Sequence, residues 1–163
     1  MIRKVCAIDA PQISRIYNYY ILNTAITFET EPVDVAEMEK RIEGIVTKRY
    51  PYFVYEADGK VVGYCYLNQW KARKAYSKSA ELSVYIDKDY RRQGIGKALL
   101  RHVLDNVDPD EIHTVMACIT LPNESSVKIH EAFGFRKVSH YKEVGFKFGQ
   151  WQDVGDWQLI FHA

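Results

Sequence analysis

The stretch AELSVYIDKDYRRQGIGKALLRHVL, residues 80–104, decides the fold class. Its beginning alternates apolar and polar side chains, with Leu82, Val84 and Ile86 on one face, which predicts a strand. The segment RRQGIG at 91–96 leads into a run whose apolar side chains share one helical face: Leu99, Leu100, Val103 and Leu104. Two glycines where a helix begins let backbone N–H groups converge on an anion. The stretch therefore predicts a strand, an anion-binding turn and a helix.

The flanking sequence predicts a chain of alternating strands and helices. Asp9 is expected to cap a helix that runs to about Asn23, and Asp34 to cap a second helix that runs to about Lys48. The dipeptide Asp58-Gly59 predicts a hairpin. Further strands are expected at 2–8, 52–57, 60–70, 112–119, 135–148 and 154–161, and a further helix at 125–133. The order β-α-α-β-β-β-α-β-α-β-β predicts an α/β fold with a mixed sheet and helices on both faces.

Composition limits the classes of protein to which the chain can belong. It has 163 residues, 47% of them hydrophobic, and 22 Lys and Arg against 21 Asp and Glu, a net charge of +1. This length predicts one domain, residues 1–163. The balanced charge argues against a nucleic-acid partner, and the short apolar runs argue against a membrane. Asp9 and Pro11 precede any apolar segment, so we expect no signal peptide and a cytoplasmic location.

The cysteines predict neither a disulfide framework nor a metal site. Cys6, Cys65 and Cys118 are an odd number, lie more than fifty residues apart and form no CxxC pair. Each is in an apolar stretch, where a cysteine is usually a small buried hydrophobic residue. We assign no role to any of them and expect no metal.

Three phosphate-binding patterns compete for RRQGIG. The dinucleotide fingerprint fails because Leu99 stands where its third glycine should be. The Walker A pattern fails because Ala98 follows Lys97 and Arg91 replaces its first glycine. The pattern R-x-x-G-x-G remains, and the alternative is a glycine-rich turn that merely begins a helix.

The remaining pattern resembles the pyrophosphate-binding loop of the GCN5-related N-acetyltransferases (GNAT). Asn123, Ser126, His130 and the sequence FGF at 133–135 resemble the fourth helix of that superfamily. A closer resemblance, over roughly residues 5–160, is to the phosphinothricin and methionine sulfoximine N-acetyltransferases. Its segments are ITFETEP at 26–32, WKARKAY at 70–76, AELSVYI at 80–86, LPNESSVKIHEAFGF at 121–135 and GFKFGQWQDVGDWQL at 145–159.

The resemblance implies an acetyltransferase fold with a mostly antiparallel sheet. It implies acetyl-CoA as the donor and the α-amine of a small amino acid or analogue as the acceptor. It also implies a homodimer. Phosphinothricin-specific enzymes tend to have Arg where Glu29 stands, so methionine sulfoximine, methionine sulfone or another analogue remains open. The alternatives are an acetyltransferase for a peptide or protein amine and a non-catalytic acyl-CoA-binding module.

Two residues are the candidates for catalysis. Aminolysis of a thioester needs a deprotonated amine and a proton for the departing thiolate. Glu81 matches the position of the family's proposed base, and the alternative is a carboxylate at the rim or paired with a basic residue. His130 stands where many members of the superfamily have Tyr, and its ordinary pKa suits either an acid or a base. The alternative for His130 is a histidine packed on its helix.

The resemblance also implies two sets of binding residues. The cofactor-binding set consists of Val84, Tyr85, Ile86, Arg92, Gln93, Gly94, Ile95, Gly96, Lys97 and Asn123. Within it, Asn123 is also expected to cap its helix. The acceptor-binding set consists of Phe28, Arg73 and Tyr76. Arg73 is the nominee for the acceptor carboxylate, since Arg pairs well with carboxylates, whereas Lys71 and Lys74 are expected to be solvated.

Overall fold

The computed structural model describes residues 1–162. Within them it contains seven strands: β1 Ile2–Lys4, β2 Tyr52–Ala57, β3 Lys60–Gln69, β4 Ser79–Ile86, β5 Thr114–Leu121, β6 Arg136–Lys147 and β7 Gln150–Ile160. It also contains four α-helices: α1 Ala10–Asn23, α2 Val35–Thr47, α3 Ile95–Asp105 and α4 Glu124–Ala132. The order of elements is the one that the sequence predicts. The first strand is shorter than expected, because a 3₁₀ turn, Ala7–Asp9, replaces its second half.

The strands form one mixed sheet in the order β1-β2-β3-β4-β5-β7-β6. Only β4 and β5 are parallel neighbours, and the other adjacent pairs are antiparallel. This confirms the mixed, mostly antiparallel α/β class. A parallel pair needs a crossover connection, and α3 supplies it between β4 and β5.

Helices cover both faces of the sheet, as predicted. One apolar cluster joins α1 and α2 to the sheet and includes Ile13, Ile16 and Ile42 with Val54 and Tyr64. The second cluster lies on the other face, and α3 and α4 pack into it. Its residues include Leu99, Leu100, Val103, Val115, Phe135 and Trp157, each at most 2% exposed. Burial of this apolar surface is the main free energy that holds the helices on the sheet.

Local signals explain most element boundaries. Asp58 and Gly59 have φ of 50° and 73°, the two left-handed residues of a type I′ hairpin turn. The Asp34 carboxylate accepts a hydrogen bond from the Glu37 amide at 2.8 Å and caps α2 as expected. Asp9 is the N-cap residue of α1, as predicted, but its side chain makes no capping hydrogen bond there. Its carboxylate accepts two hydrogen bonds from the Arg3 guanidinium, at 2.8 and 2.9 Å, and one from the Cys6 amide.

The expectation that all three cysteines are buried holds only for Cys65. Cys6 and Cys118 are exposed, and Cys6 precedes the 3₁₀ turn instead of lying in a strand. Within residues 1–162, no group of three His, Cys, Asp or Glu side chains is arranged to hold a metal ion. In the same range, no helix is both long and apolar enough to cross a membrane.

Candidate active site

The parallel strands β4 and β5 separate halfway along their length. They pair from Ser79 with Thr114 to Glu81 with Met116. Beyond that point β4 continues to Ile86 beside β3, while β5 continues to Leu121 beside β7. A gap therefore opens in the middle of the sheet, and Glu81 lies where it begins.

The edge of β4 that faces this gap carries backbone hydrogen-bonding groups. The Asp87 amide donates to the Val62 carbonyl at 2.8 Å, so Asp87 points its backbone toward β3. In an antiparallel pair the residues that face the partner alternate, so Val84 and Ile86 direct their N–H and C=O groups toward the gap. The Tyr20 hydroxyl from α1 already donates to the Ile86 carbonyl. An extended ligand arm can pair with this edge as an added strand would.

A cavity of about 640 Å³ fills the gap. Of the predicted residues, its walls include the catalytic candidates Glu81 and His130, the cofactor candidates Val84, Tyr85 and Asn123, and the acceptor candidate Phe28. Strands, helices and the loop after α1 all contribute to the walls. The structure thus brings together six predicted residues that are up to about a hundred positions apart in the chain.

Glu81 has the environment of a proton acceptor. Burial raises the pKa of Glu81, the nearby Cys118 thiol lowers it as a potential hydrogen-bond donor, and the negative charge of Asp156 raises it. A carboxylate with a raised pKa accepts protons more readily than an ordinary glutamate. Its position at the start of the gap gives it access to a group held between the two strands.

His130 is held in one tautomer. Its Nδ1 is 2.7 Å from the Ser126 carbonyl oxygen, which can only accept, so Nδ1 carries the proton and Nε2 carries the lone pair. Burial lowers the pKa of His130, partly opposed by this hydrogen bond. The imidazole is therefore neutral at pH 7. This arrangement suits a group that accepts a proton or a hydrogen bond better than one that donates a proton.

Asn123 begins α4, and its side chain accepts from the Ser126 amide at 3.2 Å. This confirms its role as a helix cap. Its side chain also lies on the cavity wall, so a second role toward a ligand is compatible with the first.

The glycine-rich turn lies at the start of α3. Gly94 is its N-cap residue, with a φ of +81°, and Arg92 also has a positive φ of 61°. The N-cap has no side chain, so the first backbone amides of α3 are left for an outside acceptor. The Arg92, Gln93 and Lys97 side chains are exposed around this turn, whereas Ile95 is buried and can offer only its backbone. The geometry fits an anionic group such as a pyrophosphate.

The loop after α1 is fastened to the rest of the fold at two points. Lys147 of β6, only 5% exposed, donates from Nζ to the Thr27 carbonyl at 2.8 Å. The Phe28 ring lies directly over Gly145, where any Cβ would overlap it. Glycine at this position allows the close approach, and Phe28 is thereby held on the cavity wall.

Glu29 is neutralised by an ion pair. The Arg41 guanidinium donates to both of its carboxylate oxygens at 2.8 Å, and the Tyr17 hydroxyl also donates to it. The hydrogen bonds from Arg41 are the main cause of the lowered pKa of Glu29. Glu29 is not among the residues of the cavity wall. Its carboxylate therefore braces the loop against α2.

The nominated acceptor residues Arg73 and Tyr76 are exposed and do not line the cavity. The cation on the wall is Lys71, whose Nζ is 5.4 Å from the centre of the Trp70 ring and 5.3 Å from that of Tyr76. Lys71 is exposed, as expected, but it also lies on the cavity wall. The segment 70–76 does approach the site, but through a different residue from the one nominated.

Among the residues of the cavity wall that sequence reasoning missed are Cys118 and Asp156. They are direct neighbours across β5 and β7, and the Cys118 thiol donates to Asp156 Oδ1 at 3.0 Å. A signal was present, because Asp156 interrupts a buried strand beside Trp157, and a buried carboxylate needs a partner. The pairing itself depends on strand register, which the sequence alone does not give.

The comparisons with known proteins agree with this geometry. Residues 2–154 match the acetyltransferase (GNAT) domain family. A phosphinothricin N-acetyltransferase from Streptomyces viridochromogenes is 38% identical over 160 residues, covering 98% of this chain and 87% of the relative. An L-methionine sulfoximine/L-methionine sulfone acetyltransferase from Pseudomonas paraeruginosa is 31% identical over 97% of this chain and 92% of the relative.

A solved structure has the same fold. It is a GNAT superfamily phosphinothricin acetyltransferase from Sinorhizobium meliloti in complex with acetyl-CoA, with a TM-score of 0.95 and 34% identity. The match covers 99% of this chain and 88% of that one. The extent of these matches, together with the gap beside Glu81 and the turn at Gly94, leads to one conclusion: the chain belongs to the GNAT acetyltransferase family.

Proposed function

We propose that this chain transfers the acetyl group of acetyl-CoA to the α-amine of a small amino acid or analogue of the phosphinothricin, methionine sulfoximine or methionine sulfone type. The observation that carries the proposal is a half-buried carboxylate with a raised pKa, Glu81, at the start of a gap between two strands. The names of the similar proteins support the acceptor class.

Acetyl-CoA supplies the activated acetyl thioester. The amides and carbonyls of Val84 and Ile86 pair with its pantetheine arm. The side chains of Asn123 and Tyr85 make further contacts with that arm. Its pyrophosphate is bound by the backbone at Gly94, Ile95 and Gly96. The exposed side chains that add charge and hydrogen bonds around that turn are Arg92, Gln93 and Lys97.

The acceptor amine must lose a proton before or as it attacks the thioester carbonyl. The C–N bond forms, the C–S bond breaks and the amine proton passes to Glu81, directly or through one water. Neutral His130 accepts a hydrogen bond through Nε2 and orients the amine or that water. A positive charge on His130 is disfavoured, so the departing thiolate takes its proton from Glu81, which has received the amine proton, directly or through water.

The acceptor end of the cavity suits a small molecule. Phe28, Trp70, Tyr141 and Val144 surround it, and the loop at Thr27 is fastened over it. A peptide or protein acceptor requires an open groove at this point. A non-catalytic acyl-CoA-binding module requires neither Glu81 nor the cation of Lys71, which is suited to an acceptor carboxylate.

The wider setting is also part of the proposal. Residues 1–163 form a single N-acetyltransferase domain that works in the cytoplasm without a metal, a membrane or a nucleic-acid partner. We infer a homodimer, because β6 is the outer strand of the sheet and its hairpin with β7 exposes Phe146, Phe148 and Trp151 by 60–62%. Arg73 and Tyr76, which lie outside the cavity wall of one chain, remain candidates for the acceptor site in such an assembly.

The test of the proposed function is thiol release from acetyl-CoA in the presence of a panel of amines. The panel contains methionine sulfoximine, methionine sulfone, phosphinothricin, free amino acids and short peptides. We expect turnover with at least one amino-acid analogue and little with peptides. Turnover with peptides alone would overturn the small-acceptor assignment. CoA binding without any turnover would favour the non-catalytic module.

A further inference from the structure

Three side chains from three different strands meet beside Glu81. Asp156 of β7 is 7% exposed, and both of its carboxylate oxygens are engaged. Oδ1 accepts from the Cys118 thiol of β5 at 3.0 Å, and Oδ2 accepts from the Ser139 hydroxyl of β6 at 2.8 Å. The Ser139 oxygen in turn accepts from the Asp156 amide at 3.0 Å. Asp156 is thus fixed in one orientation at the cavity wall.

The Cys118 thiol lies between two carboxylates. It hydrogen-bonds Asp156 of β7 on one side, and on the other side lies β4, where Glu81 pairs with Met116, two residues before Cys118, and shares the cavity wall with it. A thiol has a single proton, so it can donate to one carboxylate at a time. Donation to Glu81 would stabilise the charged form of Glu81, whereas donation to Asp156 leaves Glu81 without that stabilisation.

This inference rests on the proposed function of Glu81 as the base. We propose that Asp156 is a positioning residue for Glu81: it draws the Cys118 proton to itself and, by its own charge, keeps Glu81 ready to accept a proton. Both effects of Asp156 thus raise the proton affinity of Glu81. Cys118 lowers that affinity whenever it donates its proton to Glu81.

Other polar and charged groups share the cavity with Glu81. The titratable groups among them are Tyr17 from α1, Tyr66 from β3, Lys71 from the segment after β3, Tyr85 from β4, His130 from α4 and Tyr141 from β6. Burial raises the pKa of Tyr17, Tyr66 and Tyr85 and lowers that of His130, so these four groups are neutral at pH 7. After burial itself, Cys118 and Asp156 are the groups that act on the pKa of Glu81.

Two substitutions distinguish the effect of Asp156 on Glu81 from that of Cys118. Asp156→Asn keeps the shape of the side chain, and its amide can still accept from Cys118 and hydrogen-bond Ser139, but the charge is gone. The proton affinity of Glu81 should fall, so the ratio of kcat/KM at pH 6 to that at pH 8 should rise by about twofold or more. Cys118→Ala removes the donor that competes for Glu81. The same ratio should fall by a similar factor.

A merely structural role cannot shift this ratio in opposite directions in the two variants, because a loss of packing lowers activity at every pH. Ionisation of the acceptor amine is common to all variants and cancels in the comparison. Asp153→Asn is the matched control, since it removes a carboxylate from the same strand that pairs with His140 at 2.8 Å outside this cavity. It should leave the ratio unchanged. Shifts of the same sign in both site variants, or no shift, would overturn the inference.

A companion variant distinguishes this failure from a failure of the proposed function. Glu81→Gln should abolish most turnover, and the pH dependence that Asp156→Asn and Cys118→Ala alter should be absent from what remains. If Glu81→Gln has wild-type kinetics, the base assignment itself is wrong. If it is inactive while the other two variants show no opposite shifts, only the role of Asp156 is refuted.

A second readout does not depend on activity. Cys118 is exposed as a residue, but desolvation of its thiol and the hydrogen bond to Asp156 both raise the pKa of that thiol, which slows its alkylation. Iodoacetamide labelling of the folded protein, followed by peptide mass spectrometry, should show Cys118 reacting several-fold faster in Asp156→Asn than in the wild type. Exposed Cys6 is the internal reference, because it lies far from the substitution. Equal rates at Cys118 would contradict the proposed thiol–carboxylate contact.

Discussion

The two ends of the cavity are built from different parts of the polypeptide. At the proposed cofactor end, the groups are mainly backbone: the open edge of β4 and, beyond the cavity wall, the turn at Gly94, only a few residues apart in the chain. At the acceptor end, the groups are side chains such as Phe28, Lys71 and Asp156, which come from distant elements. A common donor can be bound by a fixed backbone shape, whereas an acceptor is selected by side chains that substitution can change.

This difference leads to predictions that separate the two ends. Substitutions of acceptor-end side chains should alter turnover or the acceptor KM and leave acetyl-CoA binding alone. Substitutions that disturb the turn should weaken acetyl-CoA binding. A variant that affects both equally would weaken the comparison.

The largest effect is expected for Glu81→Gln. Loss of the proton acceptor should lower kcat by about 10²- to 10⁴-fold, while the Kd of acetyl-CoA stays within about twofold of the wild type. Steady-state kinetics and calorimetry on the same preparation measure the two quantities. Glu43→Gln, an exposed change on α2, is the control and should have wild-type values. Unchanged kcat in Glu81→Gln would remove Glu81 as the base.

A weaker but still large effect is expected at the turn. In Gly94→Val a β-branched residue would have to adopt a φ of +81°, so the turn should shift and its amides should lose their alignment. We expect the calorimetric Kd of CoA to rise by about tenfold or more. Gly59→Val is the matched control, because Gly59 also has a positive φ, +73°, and open space around it, but lies in the β2–β3 hairpin. Equal CoA affinity in both variants would contradict the role of the turn at Gly94 in binding the pyrophosphate.

The acceptor end is probed by two substitutions in one segment. Lys71→Met should raise the KM of an amino-acid acceptor by about tenfold, because its cation lies on the cavity wall where the acceptor carboxylate can reach it. Arg73→Met should change that KM by about twofold or less. Initial-rate measurements at saturating acetyl-CoA test both. The reverse order would favour the assignment of Arg73 made from the sequence and contradict the proposed role of Lys71.

The smallest effect concerns the brace between the loop and α2. Hydrogen bonds from Arg41 lower the pKa of Glu29, so the ion pair stabilises the fold above the unfolded-state pKa of the carboxyl and is lost as the pH falls through the folded-state value. Because both side chains are more than a third exposed, Glu29→Gln should cost only about 0.5–1 kcal/mol at pH 7. Thermal unfolding at several pH values measures this cost.

The pH dependence of that cost is the informative part. The difference in Tm between Glu29→Gln and the wild type should shrink as the pH is lowered and the wild-type carboxyl takes up a proton. Glu37→Gln removes the other contact to Arg41, a single hydrogen bond at 3.2 Å, and should have a smaller effect. A Tm difference that is the same at all pH values would show that packing, not charge, is responsible.

Much of the fold was predictable because its signals are local. The hairpin at Asp58-Gly59, the alternation in β4 and the helix after Gly94 each depend on neighbouring residues. The hydrogen-bond partner of the Asp9 side chain was not predictable, because Arg3, which lies on another element, competes for the carboxylate. Local propensity was overridden there by a stronger, charged partner.

The candidate site was predictable only in part. Residues placed by sequence order, such as Glu81 and Asn123, lie on the cavity wall, and their chemical roles remain proposals. The contact of Lys147 with Thr27 joins residues 120 positions apart, and the pairing of Cys118 with Asp156 depends on the register of β5 and β7. Such contacts follow from topology, and so does the position of Lys71, and not Arg73, on the cavity wall.

In the proposed mechanism, the acetyl group and the acceptor amine meet in the gap where β4 and β5 separate, beside Glu81. A crystal structure of the protein with CoA and N-acetylmethionine sulfone, or another acetylated product of the active acceptor, tests this meeting point most directly. We expect the CoA arm to lie along the edge of β4 at Val84, and the product nitrogen to lie within hydrogen-bonding reach of Glu81, directly or through one water. A product nitrogen bound away from Glu81, or a CoA arm outside the gap, would contradict the mechanism.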